Sequence, residues 1–153
     1  MRGTACLRSG AFGVLLVSQQ VLAQGLVVTL SISDPEQRHG VAPQFTVTVA
    51  ATTESVRVMN FQDRADLKVT YARLLVTAGG KDVDVPIVIA DPGPVDDTDY
   101  IELNVGEELR FEHDGSPRAL SALPPGNYSA VVMVQPDWRA EAVKSNEVKF
   151  VVR

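Results

Sequence analysis

The chain has 153 residues, 14 Lys and Arg against 19 Asp and Glu, a formal net charge of −5 and a single cysteine. So acidic a chain lacks the basic patch that nucleic acid or an anionic membrane demands, which argues against both as partners. One cysteine allows no internal disulfide, and the length suits one domain whose core is held by packing alone.

Met1 to Ala23 has the build of a secretory signal peptide. Arg2 and Arg8 supply a positive start, Ala11-Phe-Gly-Val-Leu-Leu-Val17 is a short apolar run, and Val21-Leu22-Ala23 suits a peptidase that reads small residues. The apolar run falls short of the roughly 20 residues that cross a bilayer. Cys6 precedes that run, which argues against a lipid anchor. The expectation is an exported protein, periplasmic or extracellular, with a mature domain over 24–153 that is free of the membrane. Removal of two arginines leaves that domain a net charge of about −7.

Leu26-Val-Val-Thr-Leu-Ser-Ile-Ser33 opens the domain as a strand with Leu26, Val28, Leu30 and Ile32 on one face. Asp34-Pro35 ends it. Gln44-Phe-Thr-Val-Thr-Val-Ala-Ala51 alternates cleanly and places Phe45, Val47 and Val49 in the core. Val56–Phe61 predicts a third strand and Leu67–Val76 a fourth, with a bulge where Ala72-Arg-Leu-Leu-Val breaks the alternation. Thr77-Ala-Gly-Gly-Lys81 is a hairpin turn, because glycine reaches positive φ without a steric penalty. The return strand, Asp82–Ile89, carries Pro86 and belongs at a sheet edge or a bulge.

Asp91-Pro-Gly-Pro-Val-Asp-Asp-Thr-Asp99 is a loop by composition. Tyr100–Val105 follows with Ile101, Leu103 and Val105 inward, then Glu108–His113 with Leu109 and Phe111 inward. Gly115–Ala122 predicts one helical turn. The run from Tyr128 sets Tyr128, Ala130, Val132 and Val134 on one face, and the last strand does the same with Val148, Phe150 and Val152. No segment sustains a 3.6-residue apolar period, so helix is expected to be nearly absent. The fold class expected is all-β: an immunoglobulin-like antiparallel β-sandwich of about seven to nine short strands.

Three pieces carry a family resemblance: Asp99-Tyr-Ile-Glu-Leu-Asn-Val-Gly-Glu-Glu-Leu109, Leu123-Pro-Pro-Gly-Asn-Tyr128 and Ser145-Asn-Glu-Val-Lys-Phe-Val-Val152. Together they resemble small exported bacterial immunoglobulin-like domains. The pattern is similar to the bacterial intracellular proteinase inhibitor family and to the inhibitory prodomains of deuterolysin-type metalloproteases. The resemblance implies a β-sandwich and suggests a peptidase as partner. Its motifs are those of the fold. Pro125, Gly126 and Tyr128 form a structural corner, in which a tyrosine hydroxyl can tie down the backbone of the preceding turn.

Two loops are candidate sites. Asp96, Asp97 and Asp99 offer closely spaced carboxylates, the donor type calcium prefers. They lack the Asp-x-Asp-x-Asp-Gly run with a distal glutamate, and the alternative is a solvated turn that keeps a strand edge soluble. Calcium is therefore the one cofactor considered, against an expectation of none. Trp138, flanked by Asp137 and Arg139, lies in the loop between the last two long strands, where sandwich folds meet partners and where tryptophan serves as a binding hot spot. The alternative is an indole folded back over the end of the core.

His39 and His113 have no partner histidine at ligand spacing. The mature chain has no cysteine, no Gly-x-Ser-x-Gly and no glycine-rich phosphate loop, so a nucleophile–base pair is hard to assemble. The expected function is that of an exported, non-catalytic module that binds a protein partner through its end loops. The other readings are a structural or accessory periplasmic domain with no ligand and a calcium-stabilised binding module.

Overall fold

A computed structural model describes residues 25–85, 91–113 and 115–153. The segment expected to be a signal peptide, 1–23, and Pro86 lie outside the described residues. In chain order the elements are β1 (Leu26–Ile32), β2 (Glu36–Gln37), β3 (Phe45–Ala51), β4 (Val56–Met59), α1 (Ala65–Tyr71), β5 (Ala72–Ala78) and β6 (Lys81–Asp82). A 3-10 turn at Asp97–Asp99 follows, then β7 (Tyr100–Leu103), β8 (Glu108–His113), α2 (Pro117–Ser121), β9 (Gly126–Val134), β10 (Val143–Lys144) and β11 (Val148–Val152).

Strands β1, β3 and β8 form one sheet in that order. The other runs β2-β11-β9-β5-β6, with β10 paired to β9, and β4 and β7 make a separate ribbon. All ladders are antiparallel except the two-residue pairing of β2 with β11. The fold is an all-β sandwich. Three of its strands (β2, β6 and β10) are only two residues long, so the long strands fall within the expected number.

The core is the product of the alternation. Leu26, Val28 and Leu30 from β1 are buried with Phe45, Val47 and Val49 from β3 and Leu109 and Phe111 from β8. They face Tyr128, Ala130, Val132 and Val134 of β9 and Phe150 and Val152 of β11. Phe150 joins the sheets: its ring meets Phe45 edge-on at 5.8 Å and stacks on Tyr128 at 5.4 Å. Aromatic pairs in these geometries contribute about 0.5–1.5 kcal/mol beyond their area burial.

Three sequence expectations change. Leu67–Tyr71 is helix, not strand. Leu67, Val69 and Tyr71 alternate in sequence, but Leu67 and Tyr71, four apart, share a face in a helix as well as in a strand; only Leu67 is fully buried, Val69 and Tyr71 half-buried. The break at Ala72-Arg-Leu-Leu-Val is the start of β5 after this helix rather than a bulge. Val105, expected inward, is 55% exposed, because it lies beyond the end of β7 at the turn where Gly106 takes φ +87. The hairpin at Gly79-Gly80 forms as expected with both φ values positive, +58 and +78.

Both edges of the three-stranded sheet are closed by side chains. On β1, the Leu30 N–H donates to Asn146 Oδ1 at 2.8 Å and Asn146 Nδ2 donates to the Leu30 carbonyl at 3.0 Å. The asparagine amide thus stands where a neighbouring strand's peptide group would be. The adjacent Ser145 hydroxyl accepts from the Val132 N–H at 2.9 Å, which anchors the same turn to β9 in the other sheet. On β8, Gln62 Nε2 donates to the Arg110 carbonyl and Lys68 Nζ to the Glu112 carbonyl. Buried His113 bonds through Nε2 to the carbonyl of Ala72 in the opposite sheet, while its Nδ1 accepts from the Gly115 N–H at 2.9 Å. Side chains that occupy edge groups in this way blunt an edge against pairing with another chain.

Candidate functional site

The acidic loop and the tryptophan loop, some forty residues apart in sequence, meet at one end of the sandwich across the β4–β7 ribbon. The Met59 N–H donates to the Pro136 carbonyl at 2.9 Å and the Asn60 N–H to the Asp99 carbonyl at 2.7 Å. The end of β4 is therefore pinned between the two loops. Arg57 of β4 and Tyr100 of β7 are diagonal cross-strand neighbours, since Arg57 pairs with Glu102 and Met59 with Tyr100.

At this end the polar and aromatic side chains are engaged with one another. The Arg57 guanidinium lies 4.2 Å from the Tyr100 ring centroid and is paired with Asp97, and the Asp97 hydrogen bond, ahead of any charge effect, raises the Arg57 pKa. Burial first, and then the negative charge of Asp137, push the Tyr100 hydroxyl above the usual tyrosine range. Asp137 Oδ1 accepts from the Arg139 N–H at 2.8 Å. The Arg139 guanidinium covers one face of the Trp138 indole at 4.3 Å. Trp138 itself is 51% exposed, and its carbonyl accepts from Gln135 Nε2. The indole stands out in solvent under an arginine and does not cap the core.

The three loop aspartates have separate tasks. Asp96 Oδ1 accepts from the Thr98 N–H and hydroxyl, which lowers its pKa. The Asp96 N–H in turn donates to Asp99 Oδ2 at 3.0 Å, a reciprocal capping box around the 3-10 turn. Asp97 reaches outward to Arg57. Asp99 is buried and accepts from Arg64 Nη1 at 2.7 Å.

Arg64 is the hub of that loop. It also grips Asp66 with two nitrogens and donates to the Pro92 carbonyl at 2.7 Å. The Asp66 hydrogen bond is the first cause of its raised pKa, and the same bond holds the Asp66 carboxyl below the usual carboxylate range. A fixed guanidinium thus sits among two carboxylates and a carbonyl, oxygen donors that would otherwise suit a cation. Among the described residues no group of three or more His, Cys, Asp or Glu is placed to hold a metal ion.

The corner has a definite geometry. The Tyr128 hydroxyl donates to the Pro124 carbonyl at 2.7 Å, closing the turn in front of β9. Gly126 does not need positive φ. It lies against the Tyr128 ring, where an added Cβ would meet Cε2 at 3.6 Å. Pro125, between Pro124 and Gly126 in the chain, is exposed. His39 Nδ1 lies 2.9 Å from the Leu123 carbonyl and is part of the same corner.

No family model matches the chain, and no curated protein matches it. Solved structures do. The sporulation control protein Spo0M from Bacillus subtilis aligns over 84% of this chain and 49% of its own length, at 11% identity and a TM-score of 0.47. A β-glucosidase from Listeria innocua aligns over 83% of this chain and 16% of its own, at 12% identity and a TM-score of 0.43. The chain therefore spans about half of the first and a small part of the second. These likenesses extend to β-rich architecture and no further, and no family match supports the proteinase-inhibitor or deuterolysin-prodomain resemblance.

Sequence reading singled out Trp138, Asp137, Arg139 and the aspartates but missed Arg57, Tyr100 and Arg64. Arg57 had one signal, a lone charge in Val56-Arg-Val-Met59. Its partnership with Tyr100 depends on a register that no local pattern reveals.

Proposed function

We propose that the protein is an exported, non-catalytic β-sandwich module that binds a protein partner through the loop surface around Trp138, with Asp137 and Arg139 beside it. The observation that carries this reading is a half-exposed tryptophan stacked under Arg139 at the same end as Arg57 and Tyr100. Trp, Tyr and Arg are the residue types that dominate binding hot spots. Holding them in stacks and ion pairs before any partner arrives lowers the ordering cost of association. The resemblance noted in the sequence makes a peptidase the first partner class to try.

The test is affinity capture from an exported protein fraction by immobilised domain, wild type against Trp138→Ala and Arg139→Ala. A saturable partner retained by the wild type and lost by the variants is the expected result, followed by assay of that partner for peptidase activity with and without the domain. Equal capture by all three proteins would move the binding surface elsewhere.

A further inference from the structure

The outer face of the β5–β9 pair carries a feature that the Trp138 surface does not use. Tyr71, Arg73, Leu75, Met133, Gln135 and Ala142 line a groove of about 350 Å³ beside the Trp138 loop. That volume lies at the small end of ligand sites and holds one or two large side chains. Its floor is apolar, with Leu75 37% exposed and Met133 half-buried. Gln135 forms the shared wall, since its side chain is bonded to the Trp138 carbonyl.

Register places two cations astride this floor. Met133 of β9 pairs with Arg73 of β5 on one side and with Lys144 of β10 on the other. The three form one cross-strand row on the outward face, with the Arg73 and Lys144 Cα positions about 10 Å apart by strand spacing. Both are exposed, and among the described residues neither has an ion-pair partner. The chain is otherwise acidic, and its other exposed arginines at this end, Arg57 and Arg139, are engaged with Asp97, Tyr100 and Trp138. Glu141 lies nearby in sequence without pairing to either cation, and Asp82 and Glu147 lie toward the far end of the face. Two uncommitted cations flanking an apolar hollow complement an apolar side chain set between carboxylates.

We propose that this groove receives a large apolar side chain from an acidic segment of the protein partner, with flanking carboxylates pairing with Arg73 and Lys144. The proposal rests on the reading of the protein as a protein-binding module and gives the partner a chemistry. Aromatic or aliphatic contact supplies the burial, and the charges supply the orientation and the salt dependence.

Fluorescence anisotropy tests it with a labelled peptide of sequence Gly-Asp-Glu-Phe-Glu-Asp-Gly, a copy with lysine at each acidic position, and a copy with alanine for phenylalanine. Binding of the first alone, weakened by salt, is expected. Arg73→Glu with Lys144→Glu should weaken it about tenfold, the scale of two exposed ion pairs lost and reversed. Arg73→Gln with Lys144→Gln should weaken it less, and both double variants should melt as the wild type does, since neither cation is buried. No binding of the acidic peptide, equal binding of the lysine or alanine copy, or equal binding by the charge-reversed protein would each overturn the proposal. Peptide binding without any captured partner would leave the groove chemistry standing and remove the function proposed above. A captured partner lost on Trp138→Ala, with no peptide binding, would do the reverse.

Discussion

The Ser145-Asn146 turn and the Trp138 loop lie close together in sequence, on either side of β10, and use polar side chains in opposite ways. Asn146 spends its whole amide on the Leu30 backbone, and Ser145 is buried against β9. Around Trp138 the polar groups are equally well partnered, yet with one another and at the surface. The difference is what each pairing keeps from water. Removing Asn146 strands two backbone groups at a sheet edge, whereas Trp138 is half-exposed and its indole holds no backbone group among the described residues. Full partnering is therefore no sign of a purely structural role; what distinguishes display from support is whether solvent can replace the partner.

The largest effect expected on this comparison is from Asn146→Ala. Leaving the Leu30 N–H and carbonyl without a partner should cost about 1–3 kcal/mol, read by chemical denaturation. A loss below a few tenths would mean that water reaches the β1 edge and that the two regions do not differ. Tyr128→Phe removes one hydrogen bond to Pro124 and keeps the ring stack with Phe150, so about 0.5–1.5 kcal/mol is expected in the same experiment.

Acid should act on the Arg64 hub. The Asp66 carboxyl, held below its ordinary range by the Arg64 hydrogen bond, contributes stability that is fully present above the unfolded carboxylate value, about pH 4. That stability is lost as pH falls through the lower folded value. Arg64→Gln should accordingly flatten the acid limb of a plot of Tm against pH, and an unchanged limb would place the acid sensitivity elsewhere. Smallest of all should be the stability change from Trp138→Ala, within about 0.5 kcal/mol as for other exposed positions, alongside its loss of partner capture. A large drop in Tm would return Trp138 to a core-capping role and erase the contrast with Asn146.

The sandwich was legible in the chain because burial on one face of a strand writes itself as a period of two, and β1, β3, β8, β9 and β11 all follow it. The Tyr128 corner was legible too, since a turn before a strand needs local residues. Helix α1 was not, because Leu67 and Tyr71, four residues apart, share a face in a helix and in a strand alike, and Val69 between them continues the alternation of a strand. The candidate site was legible in part: Trp138 and the aspartates stand out by type, but Arg57, Tyr100 and Arg64 gain meaning only through the partners that folding brings to them.

Sequence alone thus determined which side chains of the long strands leave water, since hydrophobic periodicity is a local property of the chain. Only the tertiary structure decided which polar side chains meet: that Asp97 joins Arg57, that Asp99 joins Arg64, and that among the described residues Arg73 and Lys144, on either side of Met133, have no ion pair. Those pairings depend on strand register and loop approach, which are set by the packing of distant segments against one another.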